Sequence, residues 1–185
     1  KHDFIAMSSA DGKVYLHNSD NYSFEKMISI PSKPKSFALK VDFNHDGKYI
    51  RISTNDSEMF HVIIETSEVI TAPLDVRDCT WNTYDTPYTW MTAGFWRQSS
   101  ENNNVVCVTL NYNQTVGAVS YQNGDIRLYR FPCQQQAANY VLIEGIATQS
   151  HSMRFSSDGR YLVALDTYTR VIVQIELKHH KPVMS

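Results

Sequence analysis

"FNHDGKYIRISTNDSEMFHVII" (residues 43–64) and "FSSDGRYLVALDTYTRVIVQIE" (residues 155–176) align without a gap, and their likeness decides the fold. Phe43 falls on Phe155, Asp46-Gly47 on Asp158-Gly159, and Tyr49 on Tyr161, with residues 59–63 on residues 171–175. "LNYNQTVGAVSYQNGDIRLYRF" (residues 110–131) enters the same frame with Leu110 under Phe43 and Val116 under Tyr49. The opening "FIAMSSADGKVYLHN" (residues 4–18) enters with Phe4 on Tyr49 and Val14 on Met59. Successive copies stand 45, 67 and 45 residues apart, so one of them carries an insertion.

Each copy reads as an apolar residue, a polar turn, a strand, a second polar turn and another strand. Asp46-Gly47 and Asp158-Gly159, like Gly124 in the second turn of its copy, supply the positive-φ positions that reverse a chain tightly. A type I′ turn is expected at Asp158-Gly159. Alternating apolar residues such as Tyr49, Ile50 and Ile52, then Phe60, Val62 and Ile64, suit strands in a stacked core. No segment carries a helical stripe; "QQQAAN" (residues 134–139) is the nearest and is short.

All-β units repeating every 40 to 45 residues are the mark of a β-propeller, each unit one four-stranded blade. A β-sandwich also has regular turns, but it does not require its hairpins to resemble one another. The expectation is an all-β propeller segment of about four blades of four antiparallel strands. The blades fall at about 1–30, 36–70, 76–132 (with the insertion at 79–104) and 140–178, in one segment over 1–185. Four copies are fewer than such repeats usually need to close, and the chain opens inside a blade, so a larger propeller is expected around it.

The net charge is −2, which leaves no global basic field to draw the chain to nucleic acid or an anionic membrane. No apolar run approaches the ~18 residues of a membrane span, and no signal-peptide pattern opens the chain. Cys79, Cys107 and Cys133 are odd in number, far apart and without a Cys-x-x-Cys pair, which suits a reducing compartment. Three Asn-x-Ser/Thr triplets, at Asn21, Asn55 and Asn113, lie in polar stretches that generate such triplets by chance.

The insertion lies in "VRDCTWNTYDTPYTWMTAGFWRQSSENNNVVCVTL" (residues 76–110), which holds all three tryptophans. It reads as a strand with Arg77-Asp78-Cys79-Thr80-Trp81, an aromatic loop, a Gly94-Phe95-Trp96 segment and a polar spacer. That order, followed by "VGAVSYQNGDIRLYRFPC" (residues 116–133), resembles the echinoderm microtubule-associated protein-like family of WD-repeat proteins. The Trp-Asp dipeptide itself is absent; Tyr129-Arg130 and Ile175-Glu176 stand where it would be, and Ser150-His151 replaces a Gly-His pair. The resemblance implies a non-catalytic, microtubule-associated WD-repeat scaffold of the cytoplasm and cytoskeleton, on cytoplasmic or axonemal microtubules. Its partners would be proteins, tubulin first, reached through propeller loops. It also implies that His151 joins a buried hydrogen-bond network that locks its blade. The alternative is a WD-repeat interaction platform that does not itself touch microtubules.

Chemistry is otherwise unsupported. No cofactor, metal or small-molecule substrate is expected. His2, His17, His45, His61, His179 and His180 show neither helical pairing nor a cysteine at zinc spacing. Asp75, Asp78 and Asp85 have no nucleophile or positioning partner beside them. Two readings stand for Trp81, Trp90, Phe95 and Trp96: core filling for the enlarged blade, or an exposed contact patch with Arg97. Packing is the preferred role for Trp81 and Trp96, with Arg97 and residues 98–104 as an exposed rim. Lys33, Lys35 and Lys40 lie around Pro31 and Pro34 in an inter-blade loop, and with Arg77 are candidates for an acidic partner such as tubulin's tails. Such attraction fades beyond a Debye length of about 8 Å.

Overall fold

The turn that precedes the middle strand of each copy is built the same way three times. Asn44, Asn111 and Ser156 each turn a side-chain oxygen onto the backbone N–H that opens the next strand: Tyr49 at 2.8 Å, Val116 at 3.0 Å and Tyr161 at 3.0 Å. Three residues after each of them the chain takes a positive φ, 71° at Gly47, 51° at Gln114 and 69° at Gly159. The N–H of that residue bonds back to the carbonyl of Asn44, Asn111 or Ser156. Asp46 and Asp158 are absent from the positive-φ residues, so the expected type I′ turn is not formed. The loop is an i→i+3 turn closed by one left-handed residue, and only the glycine position needs φ > 0. Gly12 (φ 81°) and Gly124 (φ 91°) occupy equivalent places in the second turn of their copies.

The structure, a computed structural model, describes residues 4–56, 58–86, 89–96, 104–135, 138–144, 150–166 and 169–178. Thirteen strands appear among them, and they fall into two compact units, Lys1–Tyr88 and Thr89–Ser185.

The first unit holds two antiparallel sheets. One is β1 (Phe4–Ser8), β2 (Lys13–Asn18) and β3 (Phe24–Ser29); the other is β4 (Ala38–Phe43), β5 (Tyr49–Thr54) and β6 (Met59–Ile63). Val14, Leu16 and Ile28 of the first sheet share a core with Ile50, Ile52 and Val62 of the second, all six fully buried.

The second unit holds a sheet ordered β10-β9-β8-β7, from β7 (Val105–Leu110), β8 (Val116–Tyr121), β9 (Ile126–Arg130) and β10 (Tyr140–Ile143). Beside it lies the sheet of β11 (Ser152–Phe155), β12 (Tyr161–Asp166) and β13 (Val171–Glu176). Cys107, Ala118 and Ile126 of the four-stranded sheet pack on Met153, Leu162 and Ala164 of its neighbour. The four-stranded sheet buries its other face as well, around Phe95, Val108, Val119, Tyr121 and Tyr129.

The repeat frame places the strands well: β5, β8 and β12 open on Tyr49, Val116 and Tyr161, and β4, β7 and β11 close on Phe43, Leu110 and Phe155. Three details differ. Only one sheet shows a fourth strand among the described residues; in the β4–β6 sheet it shrinks to a single bridge between Val62 and Val69. Tyr140–Ile143 pairs with β9, so it finishes the sheet of β7–β9 rather than opening the last one. The strand expected around Trp81 is instead a 3₁₀ turn at Pro73–Val76 followed by an extended strap, joined to the sheet by one bridge from Trp81 to Asn44.

Candidate functional site

The strap at residues 80–86 is held by a buried ion pair that the apolar periodicity does not announce. Asp42 on β4 and Arg51 on β5 face each other across the ladder, Nε to Oδ2 at 2.9 Å, with side chains 0% and 1% exposed. Burial lowers the Arg51 pKa, and the Asp42 charge opposes that shift. A desolvated pair persists only if its remaining polar atoms are bonded, and the strap supplies those bonds. Asp42 accepts from the backbone N–H of Asp85 (3.1 Å) and Thr86 (3.0 Å) and from the hydroxyls of Thr83 and Thr86. Arg51 Nη2 donates to the Thr83 carbonyl at 2.9 Å. The guanidinium also lies against two rings, 4.4 Å from the centroid of Trp81 and 4.6 Å from that of Tyr84. The His61 ring is 5.7 Å from Trp81, and burial together with the Arg51 charge lowers its pKa to about 4.

The second unit repeats the device. Arg127 lies 4.6 Å from the ring centroids of both Tyr121 and Tyr140 and bonds Asp125 at 2.9 Å. Beneath it, Tyr121 donates to the Phe95 carbonyl at 2.8 Å and its hydroxyl meets that of Tyr129 at the same distance. Phe95 ends a 3₁₀ helix, Trp90–Phe95, that is clipped to the chain after β9: Gly94 N–H to the Cys133 carbonyl at 2.8 Å, Cys133 N–H to the Met91 carbonyl at 2.9 Å. A β-carbon on Gly94 would stand 2.6 Å from Cys133 Sγ and closer still to the Gln135 carbonyl, so only glycine allows this approach.

The aromatic residues of the insertion therefore divide. Trp81 is buried on the β4–β6 sheet, Phe95 is fully buried on the β7–β10 sheet, Trp96 is half-buried beside it, and Trp90 is 69% exposed. The Phe95 ring has no surface to offer a partner, which corrects its place among the contact candidates. Arg97 and residues 98–103 lie outside the described residues, as do His2, His179 and His180.

Of the basic candidates, Lys33 and Arg77 are already paired. Lys33 reaches Glu58 at 3.0 Å and Asp56 at 3.9 Å, and Glu58 raises its pKa. Arg77 forks onto its neighbour Asp78 at 3.1 and 3.3 Å. Lys35 is exposed, with a φ of 71°. Asp158 caps its own turn, accepting from Ser156 Oγ (2.5 Å) and from the Arg160 N–H (3.0 Å), and the serine bond lowers its pKa. Asp46 sits 3.9 Å from Lys48. The His151 N–H bonds the Leu165 carbonyl at 3.1 Å, while the carbonyl of the buried Ser150 beside it accepts from Ser120 Oγ at 2.5 Å.

One concavity borders the second of these clasps, with Tyr129, Cys133 and Tyr140 in its lining. A groove of about 690 Å³ opens where β8, β9 and β10 meet the chain linking β9 to β10, lined by Val116, Leu128, Arg130, Pro132, Asn139 and Val141 among others. Among the described residues no group of His, Cys, Asp or Glu is arranged to hold a metal ion, and no helix is long and apolar enough to cross a membrane.

Over residues 1–177 the chain matches the family described as the echinoderm microtubule-associated protein second beta-propeller. Echinoderm microtubule-associated protein-like 3 of Mus musculus is 23% identical over 164 residues, 88% of this chain and 18% of the relative. The 77 kDa echinoderm microtubule-associated protein of Lytechinus variegatus is 22% identical over 88% of this chain and 24% of its own. The ciliary WD repeat-containing protein ctxp80 of Euplotoides octocarinatus is 21% identical over 94% of this chain and 24% of its own. The chain thus spans a quarter or less of these relatives. Among solved structures, the Cps50 (Swd1) β-propeller domain of Myceliophteria thermophila superposes with a TM-score of 0.65 at 9% identity, covering 99% of this chain and 66% of that domain. The fold is that of a WD-repeat β-propeller segment.

Proposed function

The chain belongs to the family of the second β-propeller of echinoderm microtubule-associated proteins, and on that premise we propose that it is a non-catalytic scaffold segment that binds microtubules. The match over residues 1–177 carries this reading. The names of the sea-urchin and ciliate relatives support a setting on cytoskeletal or axonemal microtubules. The proposed contacts are loops, with Lys33, Lys35, Arg77, Trp96 and Arg97 as the residues that meet an acidic protein surface. Cosedimentation of the protein with microtubules at rising salt tests this. Pelleting that weakens with salt and with Lys33→Glu, Lys35→Glu and Arg77→Glu supports it; salt-independent pelleting that ignores these changes defeats the basic-loop contact.

A second reading has its own observation. Lys33 and Arg77 already hold carboxylates, which reduces what they offer an acidic partner. That favours a WD-repeat platform which gathers other proteins and reaches microtubules only through them. Absence of the protein from the microtubule pellet in a purified system would select this second reading.

A further inference from the structure

The face of the four-stranded sheet that packs on its neighbour is covered over only part of its area. Ala118 and Ile126 are fully buried there against Met153, Leu162 and Ala164. The strand register puts Leu128 and Val141 opposite each other on that same face, and Val116 opposite Arg130. Toward this end the cover stops: Leu128 is half-buried and Val141 is 64% exposed. The neighbouring sheet has three strands among the described residues, and at the other end of β10 Ile143 packs against the core that Ile126 shares with Met153, Leu162 and Ala164. β10 is also an edge strand, paired to β9 on one side and to no described strand on the other. An edge strand presents unpaired backbone N–H and C=O groups, a ready template for another strand.

The groove is selective as well as open. Its one charged lining residue is Arg130, exposed and in no ion pair among the described residues. The rest of the lining is apolar at Val116, Leu128, Pro132 and Val141 and carries the carboxamides of Gln134, Gln135 and Asn139. A guanidinium in no ion pair, set in a partly apolar groove, favours a carboxylate, which it can grip through two parallel N–H bonds. From these observations we propose that the groove binds an extended peptide of a protein partner. The peptide adds along the free edge of β10, sets apolar side chains over Leu128 and Val141, and places an Asp or Glu on Arg130. Main-chain pairing supplies affinity and the two side-chain positions supply choice. The site requires only a peptide, not a microtubule, so it stands or falls apart from the function proposed above.

Selection of a phage-displayed library of random twelve-residue peptides on the purified protein tests the site. The expected winners carry an acidic residue flanked by apolar ones. Synthetic copies should lose at least tenfold in affinity with Arg130→Gln, and again when alternate backbone amides are N-methylated. Val141→Asp should weaken them too. Arg130 and Val141 are exposed, so unchanged melting temperatures are expected and separate lost binding from lost folding. Winners without acidic residues, or winners that bind Arg130→Gln as well as the natural protein, would overturn the proposal, as would a selection that enriches nothing.

Discussion

The ring of Phe95 rests against Gly117, so close that a β-carbon on the glycine would stand 2.8 Å from Cζ and 3.2 Å from Leu110 Cδ2. Phe95 is fully buried and cannot withdraw. Gly117→Ala should therefore cost about 1–3 kcal/mol by overpacking, and Phe95→Ala about 3–5 kcal/mol by leaving a cavity. In Gly117→Ala/Phe95→Leu the losses should be less than additive, because the smaller side chain makes room for the methyl. Chemical denaturation of the natural protein, Gly117→Ala, Phe95→Leu and the double variant measures the coupling, and strict additivity would show that the two residues do not meet.

The Asp42–Arg51 pair should behave as a clasp for the strap. Arg51→Met alone leaves a buried carboxylate and should cost about 3–5 kcal/mol. Asp42→Leu with Arg51→Met should cost less than the sum of the single changes. Proteolysis within residues 80–86 should quicken in each variant. A single change that leaves the midpoint where it was would mean that the pair is not buried in solution.

Sequence reading captured the strand frame because the turns repeat as chemistry: a capping Asn or Ser, then a left-handed residue three positions on. It missed that the left-handed place is filled once by Gln114, since nothing in the composition of "NYNQT" marks a positive φ. It also missed both guanidinium clasps. Asp42 and Arg51 sit inside apolar strands, and two charges in such runs are themselves a signal that each needs a partner. The strap's allegiance was not legible, because an insertion's neighbours are set by tertiary packing rather than by period. The groove at β10 depends on which edge stays unpaired, and local patterning does not record that.

Gln114 gives a direct check of the turn. A left-handed φ costs a side chain with a β-carbon about 1–2 kcal/mol, so Gln114→Gly should raise the melting temperature. Gly47→Ala and Gly159→Ala should lower it, and Gly159→Val should lower it further. No atom lies within 4 Å of a β-carbon at Gly47 or Gly159, so any loss there reports backbone strain alone. An unchanged melting temperature for Gly159→Val would exclude the left-handed turn.

His61 should make the protein less stable in acid. Its folded pKa of about 4 lies below the ordinary value of 6.5, so between these pH values the unfolded chain binds the additional proton. The stability it contributes is fully present above about pH 6.5 and drains away as pH falls toward 4. His61→Phe should flatten the melting-temperature curve over that window. A curve as steep as the natural protein's would assign the acid sensitivity to other groups.

Parallel sedimentation of the purified protein with microtubules and with actin filaments, at equal polymer mass and physiological salt, tests the central claim most directly. Both polymers are acidic, so unspecific attraction of exposed basic loops would carry the protein down with either. The account predicts saturable pelleting with microtubules and none above background with actin. Equal pelleting with both, or none with either, would contradict direct microtubule binding.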